Sequence, residues 1–208
     1  MKSKTYIKAQ KWLGGIIRFL FRVHVHGAEN EPDESDGPYI MVSNHISNPD
    51  PVLLCASTSK QQPLFMGKKE LFKVPVLRSI IKAFGAYPVD RSRGDVAAIK
   101  KTIQLLNDGM CIGMFPQGHR YKKVNPRNTE VKNGAAMIAV HTKATVLPCC
   151  IRTKNNRILP FTRVDIYIGK PIKFEEFRYD EQAKGEYTRI SKVIFDRVCS
   201  LGEDNGKK

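Results

Sequence analysis

A histidine followed five residues later by an aspartate, with prolines on either side of the acid, stands in the stretch SNHISNPDP at 43–51. An imidazole titrates near neutral pH, so one held in a single tautomer by a carboxylate can take a proton from a hydroxyl. His45 would be that base, and Asp50 its partner across a turn entering a helix that begins PVLLCAS. Asn, Ser, Asp and Pro are equally the residues of turns and helix caps. Taken alone, the loop supports both readings. Metal binding fits less well, because no second histidine or carboxylate cluster stands at ligand spacing.

The elements that must position this loop can be read from the apolar pattern. YIMVS (39–43), GAYPVD (85–90), MCIGMF (110–115), ATVLPCCI (144–151) and RVDIYIG (163–169) read as strands. Between them, Val96, Ile99, Ile103 and Leu106 recur at helical spacing. FKVPVLRSIIKAF (72–84) and GAAMIAVH (134–141) read as further helices, and Ile190, Val193, Ile194, Val198 and Leu201 mark a closing one. Alternating helices and continuously apolar strands predict a single α/β domain over 38–202, with a largely parallel or mixed central sheet flanked by helices. It follows the acidic loop AENEPDESDGP (28–38).

In such a sheet, ligands bind at the carboxyl ends of strands. YIMVS runs directly into Asn44 and His45, GAYPV into Asp90 and Arg91, and MCIGMF into PQGHR (116–120). Arg91 offers a donor fork suited to phosphate, or an ion pair with Asp90 or Asp95. Pro116 and Gly118 shape a turn that can bring backbone N–H groups to a ligand, and Arg120 adds a second cation. A plain β-turn is the alternative there.

The formal net charge of +15 predicts an anionic partner. Nucleic acid is disfavoured, because the aromatics are scattered rather than interleaved with the cations. The five cysteines (Cys55, Cys111, Cys149, Cys150 and Cys199) form no C-x-x-C pair, which predicts buried reduced thiols and a cytoplasmic setting. The N-terminus, MKSKTYIKAQKWLGGIIRFLFRVHVHG (1–27), is basic and then apolar, and its apolar part is interrupted by Arg18 and Arg22. It is too short to span a bilayer and predicts an amphipathic helix lying on an anionic membrane surface, separate from the domain. A helix docked on the protein's own core is the alternative. His24 and His26 alternate as strand residues do and receive no role.

NHISNPD, GAYPVDR, FPQGHR and VLP, in this order and spacing, resemble the four blocks of the glycerolipid acyltransferase superfamily, in particular its bacterial 1-acylglycerol-3-phosphate acyltransferases. GKKELFKVPVL (67–77), VKNGAAMIA (131–139) and IGKPI (168–172) look like further stretches of that family, so the resemblance covers 38–172. It implies that His45, with Asp50 fixing its ring, deprotonates the sn-2 hydroxyl of lysophosphatidic acid for attack on an acyl thioester. It also implies that Arg91 and Arg120, with Lys68, bind the acceptor's phosphate, and that Asn44, Gln117 and Gly118 complete the acceptor site. The donor would be an acyl carrier protein or coenzyme A thioester, with no metal or bound cofactor. The enzyme would sit peripherally on the cytoplasmic face of the cell membrane. The family's third block usually reads F-P-E-G, whereas this chain has Gln117 in place of the acid. That departure bears on which acceptor is used, with glycerol 3-phosphate or another lysophospholipid as alternatives. A silent lipid-binding relative is a further alternative.

Overall fold

The run at 39–43 has no polar face to offer solvent, and it becomes β2 (Tyr39–Ser43), buried along its whole length in the middle of a seven-stranded sheet. The computed structural model describes residues 3–89 and 95–203. The other strands are β1 (Val23–His26), β3 (Pro63–Lys68), β4 (Tyr87–Val89), β5 (Cys111–Met114), β6 (Thr145–Thr153) and β7 (Val164–Ile168), in the order β1-β7-β6-β2-β5-β3-β4. Neighbours are parallel except β6 and β7, which form an antiparallel pair.

Side chains of a strand alternate between faces, and β2 divides its own accordingly. Ile40 and Val42 enter a core under α5 (Asp95–Asn107), α6 (Gly134–Thr142) and α7 (Glu186–Ser200). Tyr39 and Met41 enter the opposite core, under α1 (Lys4–Ala9) and α3 (Asp50–Ser57). The helix α4 (Pro75–Ala83) lies on this second side, where Ile80 and Ala83 pack against the core. The expected α/β domain with helices on both faces is what forms.

Two strands are not among the five read from the apolar runs. β3 begins with proline and contains Gly67, both poor strand formers. β1 is a short edge strand whose histidines interrupt its apolar residues. Because β1 pairs in register with β7, from Val23↔Val164 to His26↔Tyr167, the end of the N-terminal segment is a strand of the same sheet. The edge is fastened by His26, whose Nε2 lies 2.8 Å from Asp165 Oδ1 and whose ring stacks on Tyr167. Burial raises the pKa of Asp165, but hydrogen bonds from Arg163 and His26 outweigh it and the net shift is downward.

The N-terminal helix runs through α1, a π-helical turn (Gln10–Gly14) and α2 (Gly15–Leu20). It docks on the core: Tyr6 is fully buried, and Leu13, Ile17 and Phe21 pack inward. Tyr6 Oη donates to the Cys55 carbonyl at 3.1 Å, and Gln10 Nε2 donates to the carbonyls of Cys55 and Thr58. These bonds satisfy acceptors that the end of α3 leaves unpaired. Yet Trp12 (72% exposed), Ile16 (62%) and Phe19 (78%) stay on the surface. The helix is docked and still carries an unpartnered apolar face.

The acidic loop has an internal anchor. Glu31, 2% exposed, accepts from the backbone N–H groups of Ser59 (2.7 Å), Lys60 (2.9 Å) and Gln61 (2.9 Å) and from Tyr39 Oη (3.2 Å).

At the start of α7, Glu186 accepts two bonds from Arg189, at 2.6 and 2.7 Å, and one from the Asp180 N–H at 3.0 Å. Chiefly through Arg189, and then through Asp180, its carboxyl is held down at about 2 from an ordinary 4.5. A carboxylate with a depressed folded pKa stabilises the fold fully above its unfolded value and loses that contribution as pH falls through the folded one. Glu186→Gln should therefore melt below the wild type at pH 7, and the gap should close between pH 4.5 and about 2. Thermal unfolding across that range checks this, and a gap of constant size would refute it.

Candidate active site

Because β2, β5, β3 and β4 are parallel, their carboxyl ends share one edge of the sheet. His45 follows β2, the turn at 115–118 follows β5, and Lys68 closes β3, exposed beside the end of β4 at Val89. Arg91 lies outside the described residues.

The loop after β2 is clipped to the sheet by its own first residue. Asn44 is fully buried; its Oδ1 accepts from Ile151 N–H at 2.8 Å, and its Nδ2 donates to Ile151 O at 2.9 Å. Asn44 cannot face a ligand while both ends of its amide hold β6, so its task is to fix where His45 leaves the sheet.

His45 is then held on every side but one. Its Nδ1 lies 2.7 Å from Asp50 Oδ2, and the ring stacks on Phe115 with centroids 4.0 Å apart at 12°. Phe115 rests in turn on Phe65, 5.4 Å away. Phe65 fits only because position 113 is glycine, where a Cβ would lie 2.1 Å from the Phe65 ring. Asp50 is fully buried as the first residue of α3, where the helix dipole favours its charge. The backbone N–H groups of Ile46 (2.6 Å) and Ser47 (2.8 Å) donate to the same Oδ2, while Oδ1 has no partner among the described residues. A carboxylate fastened in this way can only accept from the ring. The ring therefore donates through Nδ1–H, which in a neutral imidazole puts the lone pair on Nε2, and the side chain is 18% exposed.

The turn after β5 completes the frame. His45 N–H donates to Gln117 Oε1 at 2.6 Å, and His45 O accepts from Tyr121 N–H at 2.9 Å. Gln117 Nε2 donates to Thr129 Oγ1 at 2.7 Å, and that hydroxyl donates to Pro126 O at 2.6 Å. Gln117 is 2% exposed, with both ends of its amide occupied. Gln117 thus clamps the backbone of His45 to the loop at Thr129. Gly118 takes φ 73°, the left-handed region that favours glycine, with the flexible end of Lys132 packed against it. Arg120 is exposed on the same edge and donates to Asn48 Oδ1, which ties the two loops together.

The cysteines offer no competing nucleophile. All five are buried, and burial pushes Cys111 up to about 11 and Cys150 up to about 12, far above the reactive range. A groove of about 540 Å³ lined by Gln10, Lys11, Arg18 and Thr58 lies at the other end of α3 and includes none of the site residues.

An imidazole with a free Nε2, backed by a buried carboxylate and flanked by cations, is equipped to activate a hydroxyl on an anionic substrate. The fold and this site define a class, and the model of the acyltransferase family matches residues 22–152. The chain belongs to the acyltransferase family, a family of enzymes. More particularly, it is similar to the 1-acyl-sn-glycerol-3-phosphate acyltransferase of Streptococcus pneumoniae, with 32% identity over 80% of this chain and 64% of that protein. It is likewise similar to the Bacillus subtilis protein of the same name, with 30% identity over 86% of this chain and 87% of that protein. The chain thus spans just under two thirds of the first relative's length and most of the second's. In fold, it matches the crystal structure of the 1-acyl-sn-glycerophosphate acyltransferase PlsC of Thermotoga maritima. There the TM-score is 0.68 and the identity 24%, covering 100% of this chain and 85% of that one.

Proposed function

We propose that this chain transfers a fatty acyl group from an acyl thioester to the sn-2 hydroxyl of lysophosphatidic acid, forming phosphatidic acid. The observation that carries the reading is the 2.7 Å His45–Asp50 contact, made by a buried carboxylate that leaves Nε2 open at the strand ends. Nε2 takes the hydroxyl proton as the oxygen attacks the thioester carbon. The tetrahedral intermediate then expels the thiolate, which recovers the proton from the imidazolium. Asp50 holds the tautomer and stabilises the imidazolium. The reaction as written uses an imidazole base and needs no metal or bound cofactor.

Arg120, Lys68 and Arg91 are assigned to the acceptor's phosphate, and Gly118 to the turn that brings backbone close to it. The acyl donor is a carrier-protein or coenzyme A thioester. Among the described residues, no helix is long and apolar enough to cross a membrane. The reading places the enzyme peripherally on the cytoplasmic face of an anionic membrane, through the exposed face of its N-terminal helix.

The test is acyl transfer by purified protein on liposomes, with lysophosphatidic acid, glycerol 3-phosphate or another lysophospholipid as acceptor and acyl-carrier protein or acyl-CoA as donor. Phosphatidic acid formed from lysophosphatidic acid supports the proposal. Preference for another acceptor reassigns the substrate, and no transfer with any pair sinks the enzymatic reading.

Gln117 yields a separate expectation. Removing its clamp in Gln117→Ala should lower kcat on the order of tenfold to a hundredfold, the scale of a misplaced catalytic group, with KM little changed. Gln117→Glu keeps an oxygen for His45 N–H and should stay within a few-fold of wild type. If the KM for the acceptor rises in both variants, Gln117 is a substrate contact after all.

A further inference from the structure

The active-site edge carries a second apolar tip that neither the site nor the N-terminal helix requires. β6 is parallel to β2 and β7 antiparallel to β6, so the loop between them emerges on the same edge as His45. The start of β1, parallel to β7, lies there too. In that loop, Leu159, Pro160, Phe161 and Thr162 form a tight turn. It is closed by Thr162 N–H to Leu159 O at 3.3 Å and by Thr162 Oγ1 to Leu159 O at 2.6 Å.

Phe161 occupies the third position of this turn with φ 62°, the left-handed region that favours glycine. A bulky side chain there is strained, and it persists only where something else holds or uses it. Phe161 is 63% exposed and Leu159 39% exposed, so the turn gains little packing from them. The backbone of Phe161 is nevertheless tied to the end of the N-terminal helix, its N–H donating to Leu20 O at 2.6 Å. This sets it beside the segment carrying Phe19, itself 78% exposed.

The surroundings are cationic. Lys123 N–H donates to Asn156 O at 3.0 Å, joining the loop after β5 to the loop between β6 and β7. The stretches 19–23, 116–123 and 153–161 contain no acid, and they expose Arg22, Arg120, Lys122, Lys123, Lys154 and Arg157. Apolar tips within a cationic rim match an anionic lipid leaflet, with side chains entering the acyl boundary and cations meeting headgroups. An acidic protein would use the cations but gives no reason for an exposed aromatic on a strained turn.

We propose that the β6–β7 turn is a second membrane-inserting element, which joins the N-terminal helix to bring the His45 edge down onto an anionic bilayer. This rests on the membrane reading of the N-terminal helix and adds the loop and the orientation to it. The test uses the chain's single tryptophan, Trp12. In a Trp12→Phe/Phe161→Trp variant, vesicles containing about one third phosphatidylglycerol should shift the indole emission to the blue. Lipids brominated in the acyl chains should quench it, and pure phosphatidylcholine should have little effect. Phe161→Gly should melt no lower than wild type and bind the same vesicles about tenfold to a hundredfold more weakly, the scale of one aromatic side chain lost from the apolar phase.

Quenching of Trp12 in the wild type, with an unquenched indole at 161, would overturn this inference and leave the helix reading intact. If neither is quenched, both fall. If Phe161→Gly melts several degrees lower with vesicle binding unchanged, Phe161 is structural and the inference is wrong.

Discussion

His45→Ala is expected to fold as the wild type does and to transfer acyl groups several hundredfold more slowly or worse. A positioned general base contributes about 10²- to 10⁴-fold, and no described residue stands ready to replace Nε2. The ring is only partly buried and its main contacts are Phe115 and Asp50, so losing it should leave a small hydrated cleft rather than a collapsed core. Asp50 keeps the N–H groups of Ile46 and Ser47, which still fasten its carboxylate. Circular dichroism and melting temperature serve as the folding control. Added imidazole should restore part of the lost rate, since the vacated space adjoins the same carboxylate. Activity within tenfold of wild type would remove His45 from the mechanism.

Glu31→Ala should be strongly destabilising, although the residue lies away from the site. The carboxylate is 2% exposed and serves three consecutive backbone N–H groups and the hydroxyl of Tyr39, which lies on the central strand. Alanine leaves those donors without an acceptor, and each such buried group costs about 1–3 kcal/mol. Water can reach Ser59 and part of Lys60, which limits the total to about 3–5 kcal/mol. For a domain of this size that is roughly 10 °C in melting temperature. Glu31→Gln retains one accepting oxygen but turns an NH₂ toward donors, so it should fall between. A loss under about 2 °C for the alanine variant would show that the 59–61 turn holds itself.

Much of the fold was legible because long apolar runs have few options. YIMVS and ATVLPCCI are apolar on both faces, and only a strand covered from both sides can bury them. The 95–107 and 186–200 helices declare themselves by spacing. β3 was not legible and β1 showed only as the alternation of His24 and His26, because a strand opening on proline and a four-residue edge strand carry weak local signals. The fate of 3–27 was half legible. Its amphipathic pattern shows a helix, but only the packed core decides that Tyr6, Leu13 and Ile17 turn inward while Trp12, Ile16 and Phe19 do not.

In the site, the residue types and spacing of His45 and Asp50 offered a base and its partner beside a plain turn, because a tight turn can close five residues of chain by itself; the 2.7 Å contact between them is what the fold adds. Asn44 and Gln117 were visible as polar residues at strand ends, but their tasks depend on Ile151 and Thr129, which lie far along the chain. The stack of His45 on Phe115 and Phe65 could not be read at all, since it requires β2, β5 and β3 to lie side by side and a glycine at 113 to make room. The sequence alone thus determined the chemistry available, through side chains that local chain geometry brings together. Which of those side chains are braced, and by what, was decided by the sheet order, because hydrogen bonds and ring contacts between distant segments exist only once the strands have paired.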